Sequence, residues 1–211
     1  MLCGIQYTKG QLMGDTGNTG KHSVREGRIR TYFIDAAKQI ILQEGVEGVS
    51  VRKVADIAGY SYATIYNYFS DLNALLLAAK HAMILDMVAY MGGAEGGKAA
   101  GVEEFKRLNR RYAGYYLEHP HVFRFFYSYR LTEEPQAAPQ HFDYATSWQD
   151  TYQGLVEDGT IQAEDVFIVA KTIIYALHGL LALYFSDNGL TEEALLSDLD
   201  QLTEYLLKRR E

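Results

Sequence analysis

The sequence predicts an all-α protein with an N-terminal helix-turn-helix head, a connecting helix and a larger helical body. Apolar residues recur at intervals of three and four along most of the 211 residues, and no alternating strand pattern of useful length occurs. The only three prolines, Pro120, Pro135 and Pro139, leave long stretches in which helices can form. Hydrophobic residues make up 48% of the chain, which is enough to bury a core.

The head is predicted from four helices in succession. Apolar residues at helical spacing mark the first, which ends near Gly45: Ile29, Phe33, Ala36, Ala37 and Ile40. Ser50 is placed to cap a second helix that ends at Gly59, and Ser61 to cap a third that continues through Phe69. Ser70 or Asp71 opens the connecting helix, which runs through Met87 until the glycine-rich stretch 92–101 breaks it.

The body is predicted from five further helices, with Pro135 and Pro139 in a loop between the second and the third. They cover about 102–118, 121–130, 142–157, 163–186 and 192–210. The chain thus divides into a disordered arm over 1–23, a head with its connecting helix over 24–87, and a helical body over 88–211.

Charge is distributed unevenly between head and body. The net charge of the chain is −7. Residues 21–81 nevertheless contain eight basic and six acidic residues, whereas residues 82–211 contain eleven and twenty. A mildly basic head is suited to approaching phosphate, and an acidic body is repelled by it.

Several classes of protein are disfavoured. Cys3 is the only cysteine, so an internal disulfide is impossible, and no Cys/His metal spacing or cofactor motif appears. No nucleophile elbow, phosphate-binding glycine loop or catalytic cluster points to an enzyme. No signal peptide is seen, although Met13 is an alternative start. Val166–Phe185 is long enough to cross a membrane, but it contains Lys171 and lacks flanking belts, so we expect a buried interface helix in a cytoplasmic protein.

Residues 50–69 are typical of a helix-turn-helix, because two short capped helices flank a tight turn at Gly59-Tyr60-Ser61. Residues 28–76 resemble the tetracycline-repressor (TetR/AcrR-type) family of transcriptional regulators. The matching motifs are Glu44-Gly45-Val46, Val54-Ala55, Ala58-Gly59-Tyr60-Ser61, Thr64-Ile65-Tyr66-Asn67-Tyr68-Phe69 and Leu75-Leu76.

The resemblance implies a set of DNA-contacting residues. Base contacts are expected from Tyr62, Ala63 and Tyr66, and phosphate contacts from Ser50, Thr64, Asn67 and Tyr68. Arg52 is a further candidate for phosphate, or else a solvated surface charge, and Tyr66 and Tyr68 would alternatively pack the head against the connecting helix. Leu72 stands where the family often has a phosphate-contacting lysine. That contact is then lost, or is supplied by Arg25, Arg28, Arg52 or Lys53.

The last two predicted helices carry the expected dimer seam. The helix over 163–186 is apolar around most of its circumference, and small residues recur on one stripe, which lets two helices approach closely. The resemblance implies that these helices pair with their copies as a four-helix bundle; an intramolecular core is the alternative. The expected seam residues are Ala176, Gly179, Ala182, Leu199, Leu202 and Leu206.

Aromatic residues are dense in the middle helices, where rings leave irregular space and hydroxyls orient a ligand. The candidate ligand-binding residues are Tyr112, Tyr116, Phe123, Tyr127, Trp148, Tyr152 and His178, and Tyr175 is placed to face the same cavity. Plain aromatic core is the alternative interpretation of every one of them.

Two functions follow from these observations. The first is a homodimeric repressor that binds a palindromic operator in double-stranded DNA and is released by an unknown small-molecule effector. The second is a DNA-binding regulator without an effector, either constitutive or controlled by a partner; a filled body core would favour it.

Overall fold

The computed structural model describes residues 19–92, 101–132 and 144–208, with side chains from Val24 in the first range and from Thr151 in the third. These ranges contain nine α-helices and no strand. The helices are α1 Thr19–Glu44, α2 Val51–Ala58, α3 Tyr62–Ile65, α4 Leu72–Tyr90, α5 Val102–Glu118, α6 Pro120–Tyr127, α7 Tyr144–Glu157, α8 Val166–Phe185 and α9 Glu192–Leu207. Short 3-10 turns at Val46–Gly48 and Ala163–Asp165 precede α2 and α8. The all-α prediction is confirmed.

The chain divides into two compact units. The head unit contains described residues 19–86 and 121–132, and the body unit contains 87–92, 101–120 and 144–208. The division between the units falls within α4, before Met87, and residues 121–127 of α6 lie in the head unit although they were predicted in the body. The predicted domain limits themselves stay a prediction.

Contacts to α4 account for the place of α6. The Lys80 ammonium donates to the Phe126 carbonyl at 3.3 Å. The Thr132 backbone N–H donates to the Asn73 side-chain oxygen at 2.9 Å, and the Asn73 amide donates back to the Thr132 carbonyl. These bonds join residues 46 and 59 positions apart, so no local sequence pattern announces them.

Two head helices differ from the prediction. α1 begins at Thr19, inside the predicted disordered arm of 1–23, of which residues 1–18 lie outside the described residues. α3 ends at Ile65 rather than Phe69. The Tyr68 and Phe69 N–H groups both donate to the Ile65 carbonyl, which turns the chain so that Phe69 is buried.

The body unit is built around α8, which packs against α5, α7 and α9. Its core contains the fully buried side chains of Phe105, Tyr116 and Tyr152. At its edge, Lys106 on α5 lies 2.5 Å from Glu204 on α9, and Arg110 lies 2.6 Å from Asp200. Such ion pairs at a water-exposed edge contribute little to stability, because solvent screens both charges.

Within the described residues, two segments are long and apolar enough to cross a membrane by length and composition alone, Leu72–Tyr90 and Ala163–Phe185. The core helix of a non-membrane protein meets the same criterion. Here one side of α8 packs against three other helices of its unit, while Ile168, Tyr175 and Leu183 remain exposed.

Candidate DNA-binding surface and effector region

The helix-turn-helix is held by local capping and a small core. The Ser50 hydroxyl accepts a hydrogen bond from the Lys53 N–H at 3.3 Å and so caps α2. Gly59 ends α2 at φ 76°, a left-handed conformation that glycine adopts without a steric cost. Val54, Ala55 and Ile65 are buried and set the angle between α2 and α3.

α3 presents an exposed face that carries most of the predicted DNA contacts. Tyr62 is 57% exposed and Tyr66 is 53% exposed, with Ala63 and Asn67 also exposed. Thr64 is half-buried, and its hydroxyl lies 2.8 Å from that of Ser61, so Ser61 orients Thr64 instead of capping α3. Large exposed rings at consecutive turns of a short helix are free to enter a groove.

Tyr68 occupies a different position from Tyr66. Its ring packs at 5.8 Å from that of Phe33 on α1, and the Tyr60 ring contacts the same phenylalanine at 5.4 Å. Tyr68 is half-buried, so packing the head is one of its roles. The exposed Tyr66 makes no such ring contact among the described residues.

The basic candidates are also distinguished by their contacts. Lys53 pairs with both oxygens of Glu44 at the end of α1, which neutralises its charge locally. Arg52 is exposed, and its guanidinium lies 6.0 Å from the centre of the Tyr62 ring. Arg52 and Tyr62 therefore present one joint surface at the start of α3.

Residues 33–79 match the family model described as "Bacterial regulatory proteins, tetR family". The matched segment runs from Phe33 on α1 through the capped α2 and α3 into α4. The chain carries a tetR-family DNA-binding head. Members of this family are regulatory proteins, which confirms the prediction that the chain is not an enzyme.

Solved structures share the fold over 85–89% of this chain. A tetR-family regulator from Mesorhizobium loti is 19% identical with a TM-score of 0.62, and the match covers 87% of this chain and 96% of that one. RolR in complex with resorcinol is 18% identical with a TM-score of 0.61, covering 89% and 97%. NalD of Pseudomonas aeruginosa, the secondary repressor of a multidrug efflux pump, is 16% identical with a TM-score of 0.54, covering 85% and 96%. No curated protein matches the chain.

The body unit contains a series of hydrogen-bonded polar side chains that are buried or half-buried. The Tyr112 hydroxyl on α5 lies 3.0 Å from Nε2 of His178 on α8 and 3.5 Å from the Tyr116 hydroxyl. The Tyr116 hydroxyl in turn donates to the Met87 sulfur at 3.2 Å. Burial lowers the pKa of His178 to about 4, so the imidazole is neutral near pH 7.

The Tyr152 hydroxyl on α7 is buried and has no hydrogen-bond partner among the described residues. The side chain is 0% exposed, its ring packs 4.7 Å from that of Phe105, and burial raises the pKa of its hydroxyl. An unsatisfied buried hydroxyl costs about 1–3 kcal/mol. The position therefore provides one unused hydrogen-bonding group inside the body core.

The predicted ligand-binding set is divided between the two units. Tyr112, Tyr116, Tyr152 and His178 lie in the body unit, whereas Phe123 and Tyr127 lie on α6 in the head unit. The Phe123 ring packs 5.0 Å from the exposed ring of Tyr127. The side chain of Trp148 lies outside the described residues. Tyr175 is 64% exposed, so the expectation that it faces the cavity of His178 is wrong.

An exposed apolar face runs along α8 and α9. On α8 it includes Ile168, Tyr175, Gly179, Ala182 and Leu183, and on α9 it includes Leu202 and Tyr205, which is 71% exposed. Gly179, Ala182 and Leu202 were predicted as seam residues from the sequence, and that role stays a prediction. The large side chains of this face were not predicted, although Ile168, Tyr175 and Gly179 recur at helical spacing.

The other predicted seam residues are less exposed. Leu199 is 1% exposed and packs inside the protomer, so it has no free surface for a partner. Ala176 and Leu206 are half-buried. Leu199 faces the core, whereas Leu202, three residues later, lies at the edge of that face and is 39% exposed.

Surface grooves formed by described residues of the body unit adjoin this face. One of 570 Å³ is lined by Leu180 of α8 and by α9 residues including Leu202 and Tyr205. The other, of 460 Å³, lies where the turn after α7 meets α8 and is lined by Ile161, Ile168 and Lys208 among others. Grooves flanked by exposed apolar side chains suit contact with another protein surface. Among the described His, Cys, Asp and Glu residues, no group of three is placed to hold a metal ion.

Proposed function

We propose that the chain is a cytoplasmic, homodimeric repressor that binds a palindromic operator and is released from it by a weakly polar small molecule. The exposed Arg52, Tyr62 and Tyr66 of the tetR-family head carry the DNA-binding part of the proposal. A dimer presents two such surfaces, and two half-sites about 34 Å apart would each receive one α3.

The dimer is supported by the apolar face on α8 and α9. A protein that stayed monomeric would expose Ile168, Tyr175 and Tyr205 to water. Monomeric proteins rarely expose apolar patches that large. Gly179 lies on the same face, and a Cβ added there would meet no atom within 4 Å in the protomer. The glycine leaves room for a second helix to approach closely.

The effector is supported by the chemistry of the body core. Tyr112, Tyr152 and His178 offer hydroxyls and a neutral imidazole beside apolar rings, and Tyr152 uses none of its hydrogen-bonding capacity. These groups suit an uncharged aromatic compound that carries hydroxyls. RolR, which shares the fold, was solved with resorcinol.

A route from effector to DNA is supported by Met87. This residue accepts the hydrogen bond from Tyr116 and lies on α4, whose earlier turns belong to the head unit. A ligand that displaced the Tyr116 hydroxyl would perturb α4 directly. Release requires that the effector bind the DNA-incompetent state more tightly than the DNA-competent one.

One observation favours the second candidate, a regulator without an effector. The rings of the body core are already in contact, with Tyr112 and Tyr116 at 5.2 Å and Phe105 and Tyr152 at 4.7 Å. Such packing fills space that a ligand would need.

The deciding experiment begins with selection of genomic DNA fragments on the purified protein, which yields the operator and its neighbouring genes. A metabolite library is then screened by the fluorescence of Trp148, the only tryptophan. We expect a compound that changes the fluorescence and weakens operator binding, with the same coupling free energy measured from either side. Compounds that change the fluorescence but not operator affinity would support the second candidate, and failure to select any DNA would refute both.

A further inference from the structure

The amino-terminal section of α1 carries a basic stripe without a function in the fold. Val24, Arg25, Gly27 and Arg28 are all exposed, in contrast to the buried residues that begin at Phe33. Between residues 19 and 32 the sequence contains four basic residues and a single acid, Glu26. Residues 24–28 are therefore part of α1 although none of their side chains is buried.

A contact from Arg30 holds this section close to the residues that follow α3. The Arg30 guanidinium lies 4.8 Å from the centre of the Phe69 ring, which follows α3. Phe33, one turn further along α1, packs against Tyr68. Arg28 and Arg25 lie two and five residues before Arg30, which is about 3 and 8 Å along a helix axis.

Arg25, Arg28 and Tyr32 lie on one face of α1, since they are spaced by three and four residues. All three are exposed. The stripe thus offers two guanidiniums and a phenol along one line, a combination that donates hydrogen bonds to phosphate oxygens.

The basic side chains of α2 are engaged elsewhere. Lys53 is paired with Glu44, and Arg52 lies over Tyr62 within the α3 surface. Arg25 and Arg28 make no such contact among the described residues.

We propose that Arg25 and Arg28 bind the DNA phosphate backbone beside the half-site contacted by α3, so that the extended α1 lengthens the footprint of the head on the operator. The inference rests on the proposed DNA-binding function and specifies a second element that delivers it. The contact carries no base specificity, because it is made to phosphates.

The test uses the full-length protein and a duplex obtained by selection from random sequence, in a minimal form and in a form extended by ten base pairs at each end. Affinity is measured against salt concentration. We expect Arg25→Ala/Arg28→Ala to lower the log–log salt slope on the extended duplex by about 0.9 for each phosphate contact removed. The same variant should bind the minimal duplex with a smaller loss. Arg107→Ala/Arg111→Ala, which removes equal charge from exposed positions on α5, should keep the wild-type slope.

A second pair of variants changes the helix without changing the charge. A side chain added at Gly27 would meet no atom within 4 Å, so Gly27→Ala should retain the slope. Gly27→Pro interrupts the helix between the two arginines and should lower it. Circular dichroism and melting temperature would show that the head remains folded in all variants.

The inference is overturned if Arg25→Ala/Arg28→Ala keeps the wild-type slope, if the α5 control loses as much, or if Gly27→Pro behaves like Gly27→Ala. If the wild-type protein binds no selected duplex, the proposed function itself fails, and this inference fails with it. Wild-type binding with an unchanged slope in the arginine variant refutes the α1 contact alone.

Discussion

The Tyr112 hydroxyl and the His178 Nε2 atom lie 3.0 Å apart in the body unit and join α5 to α8. One ring is a phenol and the other a neutral imidazole, so neither brings a charge into the core. This pair, with Tyr116 and Met87, forms a hydrogen-bonded path from α8 to the end of α4.

Protein stability should therefore depend on the protonation of His178. Its pKa in the folded state is about 4, below the usual value of 6.5, so the unfolded chain binds more protons between these values. Stability from this site is complete above about pH 6.5 and is lost as the pH falls toward 4, with an upper limit of about 3 kcal/mol. Urea unfolding at several pH values should show this slope, and His178→Gln should flatten it. An equal slope in the variant would contradict the assignment.

Loss of the hydroxyl should change the stability of the protein in opposite directions at Tyr112 and Tyr152. Tyr112→Phe removes a hydrogen bond to His178 and should destabilise the protein by about 1 kcal/mol. Tyr152→Phe removes a hydroxyl without a partner and should stabilise the protein by about 1 kcal/mol or more. Thermal unfolding of the two variants measures both signs, and destabilisation by Tyr152→Phe would show that its hydroxyl is satisfied in solution.

Operator binding should depend on the exposed ring of Tyr66. Tyr66→Ala should weaken binding to the selected operator by at least about 1 kcal/mol, on the scale of one specific contact. Tyr129→Ala, which changes an exposed tyrosine outside α3, serves as the control. Wild-type affinity in a folded Tyr66→Ala protein would mean that this ring does not contact the operator.

Gly179→Leu should separate dimerisation from folding. The added side chain finds open space within the protomer, so the free energy of unfolding of the protomer itself should change little. Overpacking a close helix pair costs about 1–3 kcal/mol, which should shift the protein toward monomer. Sedimentation at micromolar concentration measures the shift, and Leu199→Ala, a buried change, should lower stability instead. An undiminished dimer would place the seam away from Gly179.

The two serines that precede the short head helices provide a matched test of capping. Ser50 accepts a backbone hydrogen bond from Lys53, so Ser50→Ala should destabilise the protein by about 1 kcal/mol. Ser61 has no cap bond and contacts only the Thr64 hydroxyl, so Ser61→Ala should cost less. Chemical denaturation of both variants gives the comparison. Equal losses would indicate that capping does not distinguish the two positions.

The features that depend on neighbours along the chain could be predicted from the sequence alone. Helical periodicity and Gly59 placed α2 and the turn, Ser50 was recognised as a cap, and Val102–Glu118 was predicted at its observed limits. These features are local because capping and left-handed glycine act within one turn of helix. The family whose model matches residues 33–79 could likewise be predicted, because the motifs that resemble it lie close together within residues 28–76.

Which side chains are buried, and in which unit each element lies, could be seen only in the tertiary structure. α6 joined the head through bonds to Asn73 and Lys80, which are distant in sequence. Leu199 turned inward while Leu202 and Tyr205 remained exposed, and Tyr175 faced solvent while His178 was buried against Tyr112. Which of these side chains is buried depends on the direction from which a neighbouring helix packs. Periodicity shows that a helix has an apolar side, but it does not show whether that side meets the chain's own core or a second protein.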